Sequence, residues 1–237
     1  MQADDQTNEQ ADAQAGGADL TRISEGTLAH YSARAADFRE GTRDHDVSQN
    51  IAALLRALGA EVESKAGSKA GAAQPAAGPV LTILDFGCGP GRDLATFTRL
   101  GHRAIGLDGT PEFVEMARRD SACEVWLQDF LKLDLPAAFF DGIYANASLF
   151  HVPGAALPRV LGELHAALKP GGALFCSNPR GDNEEGWNRG RYGAYHDLAA
   201  WRASMAKAGF TEIEHYYRPA GLPREQQPWL ASVWRKG

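Results

Sequence analysis

From Val80 onward, short apolar runs alternate with segments whose apolar positions recur every three or four residues. Val80–Phe86 reads as a buried strand ending in glycines, Arg92–Leu100 as a helix and Arg103–Leu107 as the next strand. Pro111 suits the first turn of a helix reaching Arg119, where the missing N–H costs nothing. Cys123–Leu127 and Gly142–Ala145 are further strands. Across Ala155–Leu168, Val160, Leu161, Leu164 and Leu168 share one face. That predicts a helix, stopped by Lys169-Pro170-Gly171-Gly172 and followed by a buried strand at Ala173–Ser177. Strands separated by helices predict a parallel sheet with right-handed crossovers. After a helix at Trp201–Ala208, Phe210–Tyr217 and Trp229–Trp234 are separated only by a loop and should pair antiparallel at the edge. The expected fold is a doubly wound, Rossmann-like α/β sheet of seven strands, five of them parallel, with a terminal antiparallel hairpin.

Before Val80 the pattern is different. Residues 1–20 are rich in Ala, Gln, Asp and Gly with little to bury, and read as a disordered tail. Residues 21–62 read as an N-terminal helical cap, because Ile51, Leu54, Leu55 and Leu58 recur at helical spacing. Its Tyr31–Asn50 half is unusually polar for a segment that only packs. Residues 63–79, with their Gly, Ala, Ser and Pro, read as a flexible linker, and residues 80–237 as the core.

Composition narrows the function. The 237 residues carry a net charge of −6, yet residues 1–20 hold Asp4, Asp5, Glu9, Asp12 and Asp19 without any Lys or Arg. Removing these five acids from 30 leaves 25 acidic against 24 basic side chains. A near-neutral core argues against nucleic acid as partner, since that surface must be basic. Cys88, Cys123 and Cys176 are an odd number at wide spacing, which predicts reduced thiols rather than disulfides or a metal site. No apolar run approaches the roughly 18 residues of a membrane span, and no leader is visible, so a cytoplasmic location is expected.

The candidate chemistry lies at the strand ends, where doubly wound sheets bind ligands. In Gly87-Cys88-Gly89-Pro90-Gly91 the glycines allow close backbone approach. A dinucleotide loop would need glycine at position 92, where Arg92 stands, and Pro90 removes an N–H that a pyrophosphate would use. A nucleoside cofactor without phosphate, S-adenosylmethionine (SAM), suits this spacing. Asp108, about 20 residues on, can accept from ribose hydroxyls; Thr110 is better placed to cap the following helix. Asp129 can accept from the adenine amine, and Phe130 can cover the ring or simply pack. Asn146 ends the fourth strand beside the reacting centre.

With these residues in view, LDFGCGPGRD, GLDG, QDF and FDGIYANASLFH resemble the class I SAM-dependent methyltransferases over residues 80–178. The resemblance implies cofactor roles for Asp85, Gly87, Cys88, Gly89, Asp108, Gly109, Gln128, Asp129, Phe130 and Asn146. The segments GTRDHDVSQN, ANASLFHVP, SNPRGDNEEGW, RYGAYHD and HYYRPAGLPREQQPWLASVWR also resemble the N-methyltransferases of ovothiol biosynthesis, over most of residues 28–235. That resemblance implies methyl transfer to a ring nitrogen of 5-thiohistidine. Tyr31, Phe38 and Arg43 are candidates to cap SAM, with Arg43 on its carboxylate. Asn146, His151 and Tyr31 are candidates to orient the acceptor ring; a histidine before Val-Pro also suits a turn cap. Residues 178–197 read as a lid over the acceptor, with Asn178, Arg180, Trp187, Tyr192 and Tyr195 as its contacts and Arg180 on the substrate carboxylate. His45 completes the acceptor set. The alternatives are a methyltransferase for another small acceptor, a nicotinamide-dependent oxidoreductase or a non-catalytic SAM-binding protein.

Overall fold

The computed structural model describes residues 3–60 and 79–237, with side chains from residue 19 onward. Three helices come first: α1 (Ala3–Ser32), α2 (Ala35–Thr42) and α3 (Ser48–Ala57). The residues expected as a disordered tail, from Ala3 on, therefore continue α1. Their polarity argued against burial, but Ala and Gln are good helix formers. The linker reading of 63–79 lies outside the described residues except for Pro79.

The core then alternates as β1 (Thr82–Phe86), α4 (Arg92–Arg99), β2 (Arg103–Asp108), α5 (Pro111–Ser121), β3 (Glu124–Leu127), β4 (Phe140–Asn146), α6 (Leu157–Ala167) and β5 (Leu168–Pro179). A two-stranded hairpin, β6 (Glu184–Asn188) and β7 (Arg191–Tyr195), precedes α7 (Leu198–Lys207), β8 (Phe210–Arg218) and β9 (Trp229–Lys236). Strand order in the main sheet is β3-β2-β1-β4-β5-β9-β8. The first five strands are parallel, and β9 is antiparallel to both β5 and β8. The expected seven-stranded sheet is therefore present.

Period-two alternation builds both faces of this sheet. Ile83 packs in one apolar cluster with Leu54 and Leu55 of α3, Phe97 of α4 and Val114 of α5. Its neighbour Leu84 points the other way, into a cluster with Leu161 and Leu164 of α6 and Met205 of α7. Each such fully buried leucine contributes about 2 kcal/mol. Helices on both faces leave the carboxyl ends of the strands open, and β1 lies between β2 and β4 at the point where strand order reverses.

Two elements differ from expectation. Lys169–Gly172 was expected to separate helix from strand, but β5 already begins at Leu168, which pairs with Phe140. The register slips before Gly142 meets Ala173, and Gly171 takes a φ of 72° in the resulting bulge. Residues 184–195, read as part of a loop, form the β6–β7 hairpin. Arg189 and Gly190 make its turn, with φ of 51° and 86°. Among the described residues, no helix is long and apolar enough to cross a membrane.

Candidate active site

The glycine loop after β1 is fastened to the end of β2: the Gly87 and Cys88 N–H groups donate to the Leu107 carbonyl at 2.8 and 3.0 Å. Two glycines are required by close neighbours. A Cβ on Gly87 would lie 2.4 Å from the Ser148 Cβ, and one on Gly91 would lie 2.8 Å from the Ala117 Cα of α5. Both also hold positive φ, 78° and 90°. The loop thus sits tightly between α5 and the β4 end, with its remaining face toward a cavity.

That cavity has a volume of about 500 Å³ and runs from the strand ends to the inner face of α1. Its floor includes Asp85, Gly87, Cys88, Gly89, Asp108, Gly109, Asp129, Phe130 and Asn146. These residues come from four strand-end loops, so the fold brings together most of the predicted cofactor set. Asp108 accepts the Gly89 N–H at 2.9 Å and the Thr110 N–H at 2.8 Å, one on each carboxylate oxygen. A carboxylate offers about four acceptor sites, so both oxygens can still accept a hydroxyl. Burial pushes its pKa up against those two bonds. Asp85 is pushed well above the usual carboxylate range by burial and by the charge of Asp93, and its buried Oδ2 has no hydrogen-bond partner among the described residues. Phe130 stacks on Phe86 at 4.3 Å between ring centroids, so it serves the core and the cavity wall together. Asp129 lines the cavity while one of its oxygens accepts the Leu131 N–H at 2.8 Å.

The wall opposite is aromatic. Tyr31 of α1 meets Phe38 of α2 edge-on at 5.5 Å and Phe113 of α5 at 5.9 Å. The Tyr31 hydroxyl lies 2.7 Å from the His151 Nε2. On the far side of the imidazole, Nδ1 lies 2.6 Å from the Tyr192 carbonyl. A carbonyl only accepts, so Nδ1 carries the proton. Burial drives the His151 pKa down to about 4, so the ring is neutral near pH 7 and its Nε2 accepts from the Tyr31 O–H. Tyr31 itself is pushed up to about 12, by burial first. It stays a phenol whose proton is committed to His151 and whose oxygen lone pairs face outward from that bond.

Asn146 is likewise oriented. Its Oδ1 accepts from the Asn50 Nδ2 at 3.0 Å, and the Asn50 Oδ1 accepts from the Tyr216 hydroxyl at 3.0 Å. Asn50 is fully buried on α3. Ala147 beside it holds a φ of 60°, a strained conformation for alanine at the cavity edge.

Several predicted side chains lie away from the cavity. Arg43 is exposed and paired with Glu40. Gln128 bonds the backbone of Asp134 through both ends of its amide, bracing the loop after β3. Arg180 donates to the carbonyls of Gln227 at 2.8 Å and Arg224 at 2.6 Å, so it staples the loop between β8 and β9. Asn178 is in β5, paired with Leu230. Trp187, Tyr192 and Tyr195 belong to the β6–β7 hairpin, which lies against α1: the Trp187 ring covers Gly26, and the Tyr192 N–H donates to the Thr27 Oγ1 at 3.0 Å. The segment expected to be a lid on the acceptor thus holds α1 in place and supplies one backbone carbonyl to His151. His45 does line the cavity. The sequence reading missed Asn50, Phe113, Ser148, Arg218 and Trp229; Asn50 ended the polar Tyr31–Asn50 segment without being singled out, and Phe113 lay in a helix read only from Pro111.

Residues 83–172 match the model of a family described as a methyltransferase domain. The trans-aconitate 2-methyltransferase of Azoarcus sp. strain BH72 is 36% identical over 105 residues, 44% of this chain and 41% of that protein. The malonyl-[acyl-carrier protein] O-methyltransferase of Pectobacterium atrosepticum is 32% identical over 116 residues, 48% of this chain and 45% of that protein. The chain thus spans less than half the length of either relative. In fold, it resembles the Burkholderia thailandensis 1,6-didemethyltoxoflavin-N1-methyltransferase, solved with 1,6-didemethyltoxoflavin and S-adenosylhomocysteine. The TM-score is 0.71 at 23% identity, over 92% of this chain and 90% of that one. Residues 83–172 thus match a methyltransferase domain, and the Rossmann-like sheet that holds them has the fold of the 1,6-didemethyltoxoflavin-N1-methyltransferase.

Proposed function

We propose that the protein transfers the methyl group of SAM to a ring nitrogen of a small imidazole, with 5-thiohistidine as acceptor. The observation that carries this reading is the Tyr31–His151 pair, which presents an oriented acceptor oxygen opposite the strand-end loops. The choice of 5-thiohistidine rests on the resemblance of the segments around Tyr31–Asn50, Asn146–Pro153 and His215–Arg235.

The residues fit SAM. It carries a sulfonium and an ammonium, and the cavity floor offers Asp85 with a buried oxygen unpartnered among the described residues. Asp108 retains lone pairs for ribose hydroxyls, and Phe130 and Phe113 provide apolar walls for an adenine ring. When bound, SAM supplies the electrophilic methyl group. The protein's part is positioning, because alkyl transfer needs an in-line approach more than acid–base help. A neutral imidazole acceptor has one N–H and one lone pair. The Tyr31 oxygen, with its own proton donated to His151, accepts that N–H and thereby turns the lone pair of the other nitrogen toward the methyl donor. Asn146, locked by Asn50, offers its amide nitrogen at the same edge. His151 remains neutral and fixes the direction of the Tyr31 hydroxyl; it is a positioning residue.

The test is direct: purified protein, SAM and 5-thiohistidine, with mass detection of the methylated product and assignment of the nitrogen by NMR. A second reading is methylation of a small carboxylic acid, favoured by the match to the trans-aconitate 2-methyltransferase. Turnover of such acids with none of imidazoles would replace the first reading.

A further inference from the structure

We infer that Arg218 is the receptor for a carboxylate on the acceptor, so that the site selects acids over their decarboxylated counterparts; this deepens the proposed function and rests on it. Among the described residues, the cavity is lined by five carboxylates, those of Asp46, Asp85, Asp93, Asp108 and Asp129, and by two arginines. Arg92 is committed: it donates to Asp93 at 2.7 and 3.0 Å and to the Thr42 carbonyl at 2.8 Å. Among the described residues, Arg218 makes one hydrogen bond, from Nη2 to the Asp46 main-chain carbonyl at 2.7 Å, while the Asp46 carboxylate accepts from the Ser48 N–H. A guanidinium has five N–H donors in a planar fork, so most of the fork remains for a bidentate carboxylate.

Its place in the sheet says which ligand it meets. Arg218 ends β8 and is in register with Trp229 of β9, which is in register with Pro179 of β5. These strands lie on the far side of β4 from β1, β2 and β3, whose ends carry Asp85, Asp108 and Asp129. The nucleoside half and the Arg218 half of the cavity are therefore at opposite ends, with Asn146 between them. Arg218 is also well supported. The following loop is stapled by Arg180, and the Arg224 guanidinium lies 3.0 Å over the Tyr217 ring. Arg180, the arginine predicted for a carboxylate from sequence, thus holds the loop beside the arginine that faces the cavity.

The test compares wild type with Arg218→Met and Arg218→Lys. Calorimetry gives the Kd of S-adenosylhomocysteine; in its presence, titration with L-histidine and histamine gives the carboxylate preference; kinetics with 5-thiohistidine gives KM. Wild type is expected to prefer L-histidine. Arg218→Met is expected to abolish that preference and raise KM about 10- to 150-fold, the range for a charged hydrogen bond, with S-adenosylhomocysteine Kd unchanged within about twofold. Arg218→Lys is expected to recover part of the loss. A parallel loss of S-adenosylhomocysteine affinity would assign Arg218 to the cofactor's own carboxylate and overturn the inference, as would equal binding of L-histidine and histamine by wild type. If no imidazole binds, the imidazole reading fails on its own. Small carboxylic acids against their amides then decide for Arg218: a preference for the acids, lost in Arg218→Met, supports it, and no preference overturns it.

Discussion

His151 connects three parts of the site through two ring nitrogens, and its charge state is open to measurement. Its pKa in the folded protein, about 4, lies below the ordinary 6.5. Between these values the unfolded chain binds more protons, so this residue makes stability fall as pH drops from 6.5 toward 4, and has no effect above 6.5. At about 1.4 kcal/mol per pH unit, the loss amounts to at most about 3.5 kcal/mol. Urea unfolding of wild type and His151→Gln from pH 7 to 4.5 should show the wild-type advantage shrinking with acid; parallel curves would mean that the ring is not buried neutral. Tyr31→Phe keeps the ring against Phe38 and Phe113 but removes the acceptor oxygen. It is expected to lower kcat/KM for the imidazole about 10- to 100-fold, or roughly 1.4–2.7 kcal/mol, and to leave SAM affinity within about threefold. An equal fall in SAM affinity would place the hydroxyl on the cofactor instead.

Among the elements, the glycine loop is held most tightly. Gly91→Ala must both adopt a φ near 90° and displace Ala117 of α5, whose Cα is 2.8 Å from the added carbon. A cost of about 1–3 kcal/mol is expected, read as a lower Tm and a smaller rise on adding S-adenosylhomocysteine. This element was legible in the sequence because its residue types serve the backbone directly, and β1, α4 and β2 were legible because their periods differ clearly. The β6–β7 hairpin was not. Its first strand, Glu-Glu-Gly-Trp-Asn, has one large apolar residue, and its turn is Arg189-Gly190 where Asn-Gly or Asp-Gly is the familiar signal. Arg218 closes an ordinary strand pattern, and only the β8–β9 and β9–β5 registers set it level with the end of β5, across β9. Asn50 looked like one more polar residue at a helix start, because its partners Asn146 and Tyr216 are 96 and 166 residues away. Residues whose roles depend on such long contacts leave no local trace.

Across the whole molecule, α1 closes the cavity and the hairpin closes α1. Trp187 covers Gly26, where even a methyl group would lie 2.5 Å from the indole, and a Cβ on Gly190 would lie 2.6 Å from the His30 ring. Trp187→Ala should loosen this contact, seen as faster proteolysis within residues 20–32 and faster hydrogen exchange at the Tyr192 amide. S-adenosylhomocysteine should protect the variant less than the wild type. Unchanged exchange would show that α1 is held by its other contacts.

The Tyr192 carbonyl gives this cover a second consequence. The atom that decides which imidazole nitrogen of His151 holds the proton is contributed by the roof of the site, while the glycine loop and the acids form the floor. If the roof lifts, the ring is free to exchange tautomers and Tyr31 loses its assigned direction. Closure therefore writes the hydrogen-bond polarity of the acceptor half, and the enclosure and the recognition of the acceptor are one event rather than two.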